Sequence, residues 1–336
     1  MELSPHTDTT ENAKRSGIPS FDLIKSQLDE VKEFIKRWLT APPKAAAVNQ
    51  LLEHLHSCSG KMIRPGLVLL SGAAAGKVMQ KHIQVAAIME TIHNATLLHD
   101  DVIDEGRQRR GAPTINHLWG NESAVLLGDF LLGQVFRMCA DLDPGITNII
   151  AATAVRTCEG ELRQVVERKN LHLTEAEYVD IITDKSAAIF GTCCRLGAML
   201  AEAGENEVES LACFGLNSGI AFQITDDVLD ITGDERKTGK TTGSDVDKHK
   251  LTLPVIHLLK KLDKKERENV YSILEAPSRN KDGLAEMLKT YGCLEYAQSR
   301  AREYVAKAVQ AVSDLRENDG KRALIRTAEF IAARSM

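Results

Sequence analysis

Apolar residues recur at three- and four-residue spacing along most of the chain, the period of an amphipathic helix. Ile24, Leu28, Val31, Ile35 and Trp38 mark the first such helix, which Ala41-Pro-Pro43 ends. The same spacing predicts helices over 46–58, 62–76, 82–105, 122–141, 146–168, 174–202, 206–232, 252–262, 265–275, 281–290, 293–316 and 319–334. Proline, which breaks helix interiors, is absent from Gly66 to Ala112 and from Gly145 to Leu253. Thr174-Glu-Ala-Glu177 is a capping box that starts one helix. There is no alternating β-rich run, fixed-period repeat or flexible linker. The pattern predicts an all-α, single-domain helical fold over 19–336, preceded by a disordered polar tail at 1–18. Two segments interrupt it: Gly106–Asn121, with Arg107, Arg109 and Arg110, and Gly233–Lys250, with Arg236, Lys237, Lys240, Lys248 and Lys250.

Composition narrows the function classes. Hydrophobic residues make up 43% and charged residues 26%, ordinary for a globular protein. A net charge of −5 and only 4% aromatic residues argue against a basic nucleic-acid face or base-stacking platforms, so no nucleic-acid partner is expected. The seven cysteines form no Cys-x-x-Cys pair and read as small buried hydrophobes in a reducing compartment. Met1–Ser16 lacks the apolar run of a signal peptide. The most apolar stretch, Ala124–Phe136, is interrupted by Asp129 and Gln134, so no transmembrane segment is expected and a cytoplasmic location is.

The sharpest chemical feature is duplicated. Asp100-Asp101-Val-Ile-Asp104 ends one predicted helix and Asp226-Asp227-Val-Leu-Asp230 ends another, each after an apolar stretch. Residues i and i+4 share a helix face, so Asp100 sits beside Asp104 and Asp226 beside Asp230. Such pairs repel unless a cation joins them. A single motif of this kind reads equally well as a solvated acidic helix end. Two copies with the same spacing point to hard-oxygen ligands for Mg²⁺, which binds through a few carboxylates plus substrate phosphates. That predicts a phosphorylated substrate, a diphosphate, between the two helices.

Candidate cations for it lie close by in sequence. Lys61 and Arg64 flank a predicted helix start, and Arg109-Arg110-Gly111 follows the first acidic motif. Lys185-Ser186 interrupts an apolar helix, Lys240 and Lys250 follow the second motif, and His93 lies two turns before Asp100. Each also has a plain reading: a basic helix start, a solvated turn, a snorkelling lysine, a mobile loop, a structural histidine. A diphosphate site gathers them into one explanation, since arginine forks suit phosphate oxygens.

With these motifs in hand, the chain resembles the trans-isoprenyl diphosphate synthases, the head-to-tail prenyltransferases. The resemblance runs from about residue 21 to the C-terminus. It rests on Gly60-Lys61-x-x-Arg64-Pro65, His93 through Asp104, Arg109-Arg110-Gly111, Gly128-Asp129-Phe130-Leu131, Lys185, Gln223 through Asp230, and Thr252-Leu-Pro254. It implies an isoprenoid synthase fold, a helical bundle around a deep central cavity, in a homodimer. It implies condensation of an allylic diphosphate, farnesyl or geranyl, with isopentenyl diphosphate, with three Mg²⁺ ions bound alongside the allylic diphosphate. Asp100, Asp104 and Asp226 would lead as metal ligands, with Asp101, Asp227 and Asp230 beside them. Arg109, Lys185, Ser186, Gln223, Lys240 and Lys250 would serve the allylic diphosphate; Lys61, Arg64, His93 and Arg110 would serve isopentenyl diphosphate. Asp100, Asp226 and Lys185 would carry ionisation. Many members have Gly-Lys where this chain has His249-Lys250, which puts the position of Lys250 in question.

In this family, bulk below the first acidic motif sets product length. Ala95 and Thr96 occupy the positions where short-chain members often carry an aromatic, and Phe136 is the expected floor. The resemblance then implies a medium- or long-chain product of about thirty to fifty carbons by family analogy, a quinone side chain delivered to a membrane. A short-chain synthase and a non-catalytic subunit of a heteromeric synthase are the alternatives. A terpene cyclase would lack the second acidic motif and the Lys61/Arg64 pair, and a structural metal protein would not need the cations.

Overall fold

The computed structural model describes residues 18–40, 46–58, 60–168, 170–232, 244–275 and 281–333. The tail at 1–17 and Lys240 lie outside the described residues.

A short 3₁₀ turn, Pro19–Ile24, leads into α1 (Lys25–Leu39), followed by α2 (Ala46–Ser57), α3 (Ile63–Ala75), α4 (Gln80–Ile103), α5 (Ile115–Cys139), α6 (Pro144–Glu167), α7 (Glu175–Ile182), α8 (Ala188–Leu200) and α9 (Glu205–Thr232). Beyond α9 come a single turn, Ser244–Asp247, and the helices Leu253–Lys261, Lys264–Glu275, Lys281–Thr290, Cys293–Ala311 and Asp319–Ala333.

The two helices that end in acidic motifs are central. The first half of α4 is buried nearly all round, from His82 to Ile92, and packs against α3 and α5. Helix α9 is buried along most of its length between α8 and Cys293–Ala311. A helix apolar on every side belongs inside a bundle. His82 is tied there by two hydrogen bonds: the Met79 N–H donates to Nδ1 at 3.0 Å, and Nε2 meets the Gly197 carbonyl of α8, also at 3.0 Å.

Three local features depart from simple helical reading. The predicted helix over 174–202 is divided. The expected capping box opens α7, with Thr174 N donating to Glu177 Oε2 at 2.8 Å, but Thr183–Ala187 is a π-helical turn before α8. π turns inside helices recur at functional sites, and this one carries Lys185 and Ser186. Within Gly106–Asn121, Gln108–Arg109 pairs antiparallel with Ala112–Pro113. Arg110 (φ 55°) and Gly111 (φ 77°) form its two-residue turn, the double positive φ of a tight hairpin. Helix α5 then begins at Ile115, earlier than the sequence predicts, and kinks at Gly120.

Candidate active site

The first acidic motif closes α4. Carboxylates at a helix C-terminus oppose the helix dipole, so they need cationic partners, and each has them. Asp101 is buried and gripped by Arg109, whose Nε donates to Oδ1 at 3.0 Å and Oδ2 at 2.9 Å, and whose Nη2 donates to Oδ1 at 2.6 Å. Asp104 accepts from Arg168 Nη2 at 2.5 Å and from Lys250 Nζ at 2.8 Å, with Lys248 Nζ at 3.4 Å. Burial would raise the Asp104 carboxyl, but Lys250, Lys248 and Lys185 outweigh it and hold it at about 2. Burial pushes Asp100 up to about 6, Lys185 working against the rise and Glu161 adding to it.

The second motif repeats the arrangement with different donors. Asp227 is buried and accepts from the Tyr178 hydroxyl at 2.6 Å and from Gln223 Nε2 at 2.8 Å. Ser186 Oγ donates to Gln223 Oε1 at 2.9 Å, so the π turn orients the glutamine. Burial, then the Asp245 charge, push Asp227 up to about 8 against those hydrogen bonds. Asp101 and Asp227 are therefore turned into their own surroundings.

The segment after α9 joins the two motifs. Asp245 N donates to Asp230 Oδ2 at 3.1 Å, Lys250 Nζ lies 3.9 Å from Asp245 Oδ1, and the same ammonium reaches Asp104. His249 takes the left-handed conformation (φ 56°) that a glycine adopts readily, and its Nδ1 meets the Leu274 carbonyl at 2.8 Å. The departure from Gly-Lys thus leaves Lys250 beside the carboxylates.

The remaining cations come from the start of α3 and from the hairpin turn. Met62 (φ 54°) turns the chain ahead of α3, exposing Lys61, whose Nζ lies 5.9 Å from the Phe330 ring centroid. Arg64 lies over the Phe190 ring at 5.2 Å. Arg110 Nη1 donates to the Cys58 carbonyl at 2.9 Å, and its guanidinium covers Gly60 so closely that a Cβ there would sit 2.5 Å away. His93 is half-buried on α4, between Ala95 and the buried Glu90.

Helix α6 supplies residues that sequence reading missed. Glu161 forms an ion pair with Lys185, Gln164 Oε1 accepts from Lys185 Nζ at 2.6 Å, and Arg168 reaches Asp104. Burial would lower Lys185, but Asp100 and Glu161 hold it above the ordinary lysine range. Glu161 and Gln164 share one face of α6 and Arg168 caps its C-terminus, and that spacing is the signal that could have found them. Tyr178, Asp245 and Lys248 were also missed.

Ala95 is 1% exposed, and Ile92, Met89 and Ile88 below it are buried. Phe136 is corrected: it is 74% exposed, because α5 turns Leu131, Val135 and Met138 inward and Phe136 out. It floors no cavity within this chain.

Hard carboxylate oxygens facing lysines and arginines suit a divalent cation with a diphosphate. Among the described residues no three acidic or imidazole groups converge on one point, so substrate oxygens would have to complete the coordination of any ion.

The comparisons agree with this chemistry. The polyprenyl synthetase family model matches residues 45–291. The chain belongs to the polyprenyl synthetase family and is a prenyltransferase. It is 35% identical to a short chain isoprenyl diphosphate synthase of Methanothermobacter thermautotrophicus over 84% of this chain and 89% of that one. It is 33% identical to the octaprenyl diphosphate synthase of Escherichia coli, over 85% and 90%. Among solved structures, a polyprenyl synthase from Caulobacter crescentus complexed with calcium and isoprenyl diphosphate superposes with a TM-score of 0.90 at 30% identity, covering 94% and 97% of the two chains.

Proposed function

We propose that the protein condenses farnesyl or geranyl diphosphate with successive isopentenyl diphosphate units to give an all-trans polyprenyl diphosphate of about thirty to fifty carbons by family analogy. The observation that carries the reaction is the joining of the two acidic helix ends: Lys250 reaches Asp104, and the adjoining turn holds Asp230. Asp100, Asp104, Asp226 and Asp230 are the residues that would hold Mg²⁺, three ions in the full complex. Bound there, Mg²⁺ would neutralise charge on the departing diphosphate. Lys185, Lys248, Lys250 and Arg168 face carboxylates of this cluster and would also serve that diphosphate. They stabilise the charge that develops as the allylic bond breaks. Arg109 grips Asp101, which holds the motif in shape, and would also serve the allylic diphosphate.

Lys61, Arg64, Arg110 and His93 form the isopentenyl diphosphate subsite. Its double bond attacks the allylic cation, and the proton it then loses passes to the released diphosphate.

Chain length rests on Ala95 and Thr96, which put no aromatic ring below Asp100. Incubation with farnesyl diphosphate, labelled isopentenyl diphosphate and Mg²⁺ is expected to give labelled chains beyond C20. Termination at C15 or C20 would overturn the chain-length reading in favour of the short-chain alternative.

We also infer a homodimer. Eight of the eleven large apolar side chains exposed among the described residues lie on α5 and α6: Leu118, Val125, Leu126 and Phe136, and Val155, Leu162, Val165 and Val166. Exposed apolar side chains concentrated on two helices point to an interface. None of the described helices is long and apolar enough to cross a membrane, which is compatible with a cytoplasmic enzyme that delivers its product to a membrane.

A further inference from the structure

Tyr178 lies on α7, outside both acidic motifs, and is buried. Its hydroxyl starts a chain of hydrogen bonds that ends at the π turn. The hydroxyl donates to Asp227 Oδ2 at 2.6 Å. Asp227 Oδ1 accepts from Gln223 Nε2 at 2.8 Å, and Gln223 Oε1 accepts from Ser186 Oγ at 2.9 Å. The chain therefore joins three elements: α7, α9 and the π turn that carries Lys185.

Each link fixes the direction of the next. A buried carboxyl is costly unless its oxygens are hydrogen-bonded. The Tyr178 hydroxyl occupies Oδ2, which leaves Oδ1 to Gln223. The amide then turns its nitrogen to Asp227 and its oxygen to Ser186. A glutamine amide has two N–H groups. One goes to Asp227, and the other is left for a substrate oxygen. At the far end, Ser186 adjoins Lys185, whose Nζ donates to Gln164 of α6 at 2.6 Å. Helices α6 and α9 both pack against this turn. Members of a buried hydrogen-bond network act together, so loss of the first donor is felt at the last.

We propose that Tyr178 is a positioning residue of the allylic diphosphate subsite: acting through Asp227, it sets the amide of Gln223 and, with it, the turn that presents Lys185. The proposal rests on the reading of Gln223 and Lys185 as allylic diphosphate ligands.

The test is steady-state kinetics on the full-length protein with farnesyl and isopentenyl diphosphate each varied, and with the melting temperature of every variant as the check on folding. A wild type without turnover dependent on both diphosphates would overturn the proposed function itself. Gln223→Ala with a wild-type KM for farnesyl diphosphate would overturn the reading of Gln223, and the proposal with it. With both of those intact, Tyr178→Phe, which removes only the hydroxyl, is expected to raise KM for farnesyl diphosphate at least about fivefold, while KM for isopentenyl diphosphate stays within about twofold. In a Gln223→Ala background the same substitution is expected to add less than about twofold, because the two act through one chain. If Tyr178→Phe does not fold, Ser186→Ala cuts the chain at its other end, and the same split between the two KM values is expected. An unchanged KM for farnesyl diphosphate, equal rises in both KM values, or full additivity with Gln223→Ala would overturn the positioning role.

Discussion

Asp101 and Asp227 hold the same place in their motifs, and each is held by a donor from another element, Arg109 from the hairpin and Tyr178 from α7, with Gln223 one turn back on α9 also donating to Asp227. A sequence motif shows which carboxylates share a helix face but not which way each one finally faces. The acidic pairs, Lys61, Arg64 and Arg110 were legible because their chemistry is concentrated in a few adjacent residues. Glu161 and Arg168 were not, because a lone charge on a helix reads as a solvated face until its neighbour is known. His82 gives a prediction at this scale. Burial lowers its pKa, with the hydrogen bond to the Gly197 carbonyl opposing the fall. The Met79 N–H occupies Nδ1, so protonation there breaks a bond. The unfolded chain therefore binds more protons than the folded one as pH falls through about 6.5, and stability drops by at most about 1.4 kcal/mol per pH unit. Denaturation of wild type and His82→Gln at pH 7 and pH 5 is expected to show the wild-type advantage shrinking with acid. An advantage independent of pH would contradict this account.

At the scale of elements, the helices were readable because nearly all of them carry a buried stripe of period 3.6. The π turn was not, since the apolar rhythm of 174–202 runs through it unbroken, and the hairpin has too few residues to show alternation. The π turn matters because α6 packs closely against it. At Gly160 an added Cβ would lie 2.3 Å from the Lys185 backbone nitrogen. Gly160→Ala is expected to cost about 1–3 kcal/mol of stability, the usual range for overpacking. It is also expected to weaken allylic diphosphate binding, because Lys185 must shift with its backbone. A variant with wild-type melting temperature and wild-type allylic KM would show that this contact does not set the lysine's position.

For the whole molecule, the unpartnered faces of α5 and α6 are what a single chain leaves unresolved. Phe136 illustrates the point: read along the sequence it belongs to an apolar helix and so to a cavity floor, yet the fold turns it to the surface. Light scattering is expected to give twice the chain mass, and Leu162→Glu with Val166→Glu is expected to give the single-chain mass with helical content retained. A monomeric wild type would contradict the homodimer. The most direct test of the central claim is the length distribution of products made from farnesyl diphosphate and isopentenyl diphosphate by wild type and Ala95→Phe side by side. The account predicts chains beyond C20 for wild type and a clear shortening for Ala95→Phe. Identical distributions, or a wild type that makes no prenyl chain at all, would contradict it.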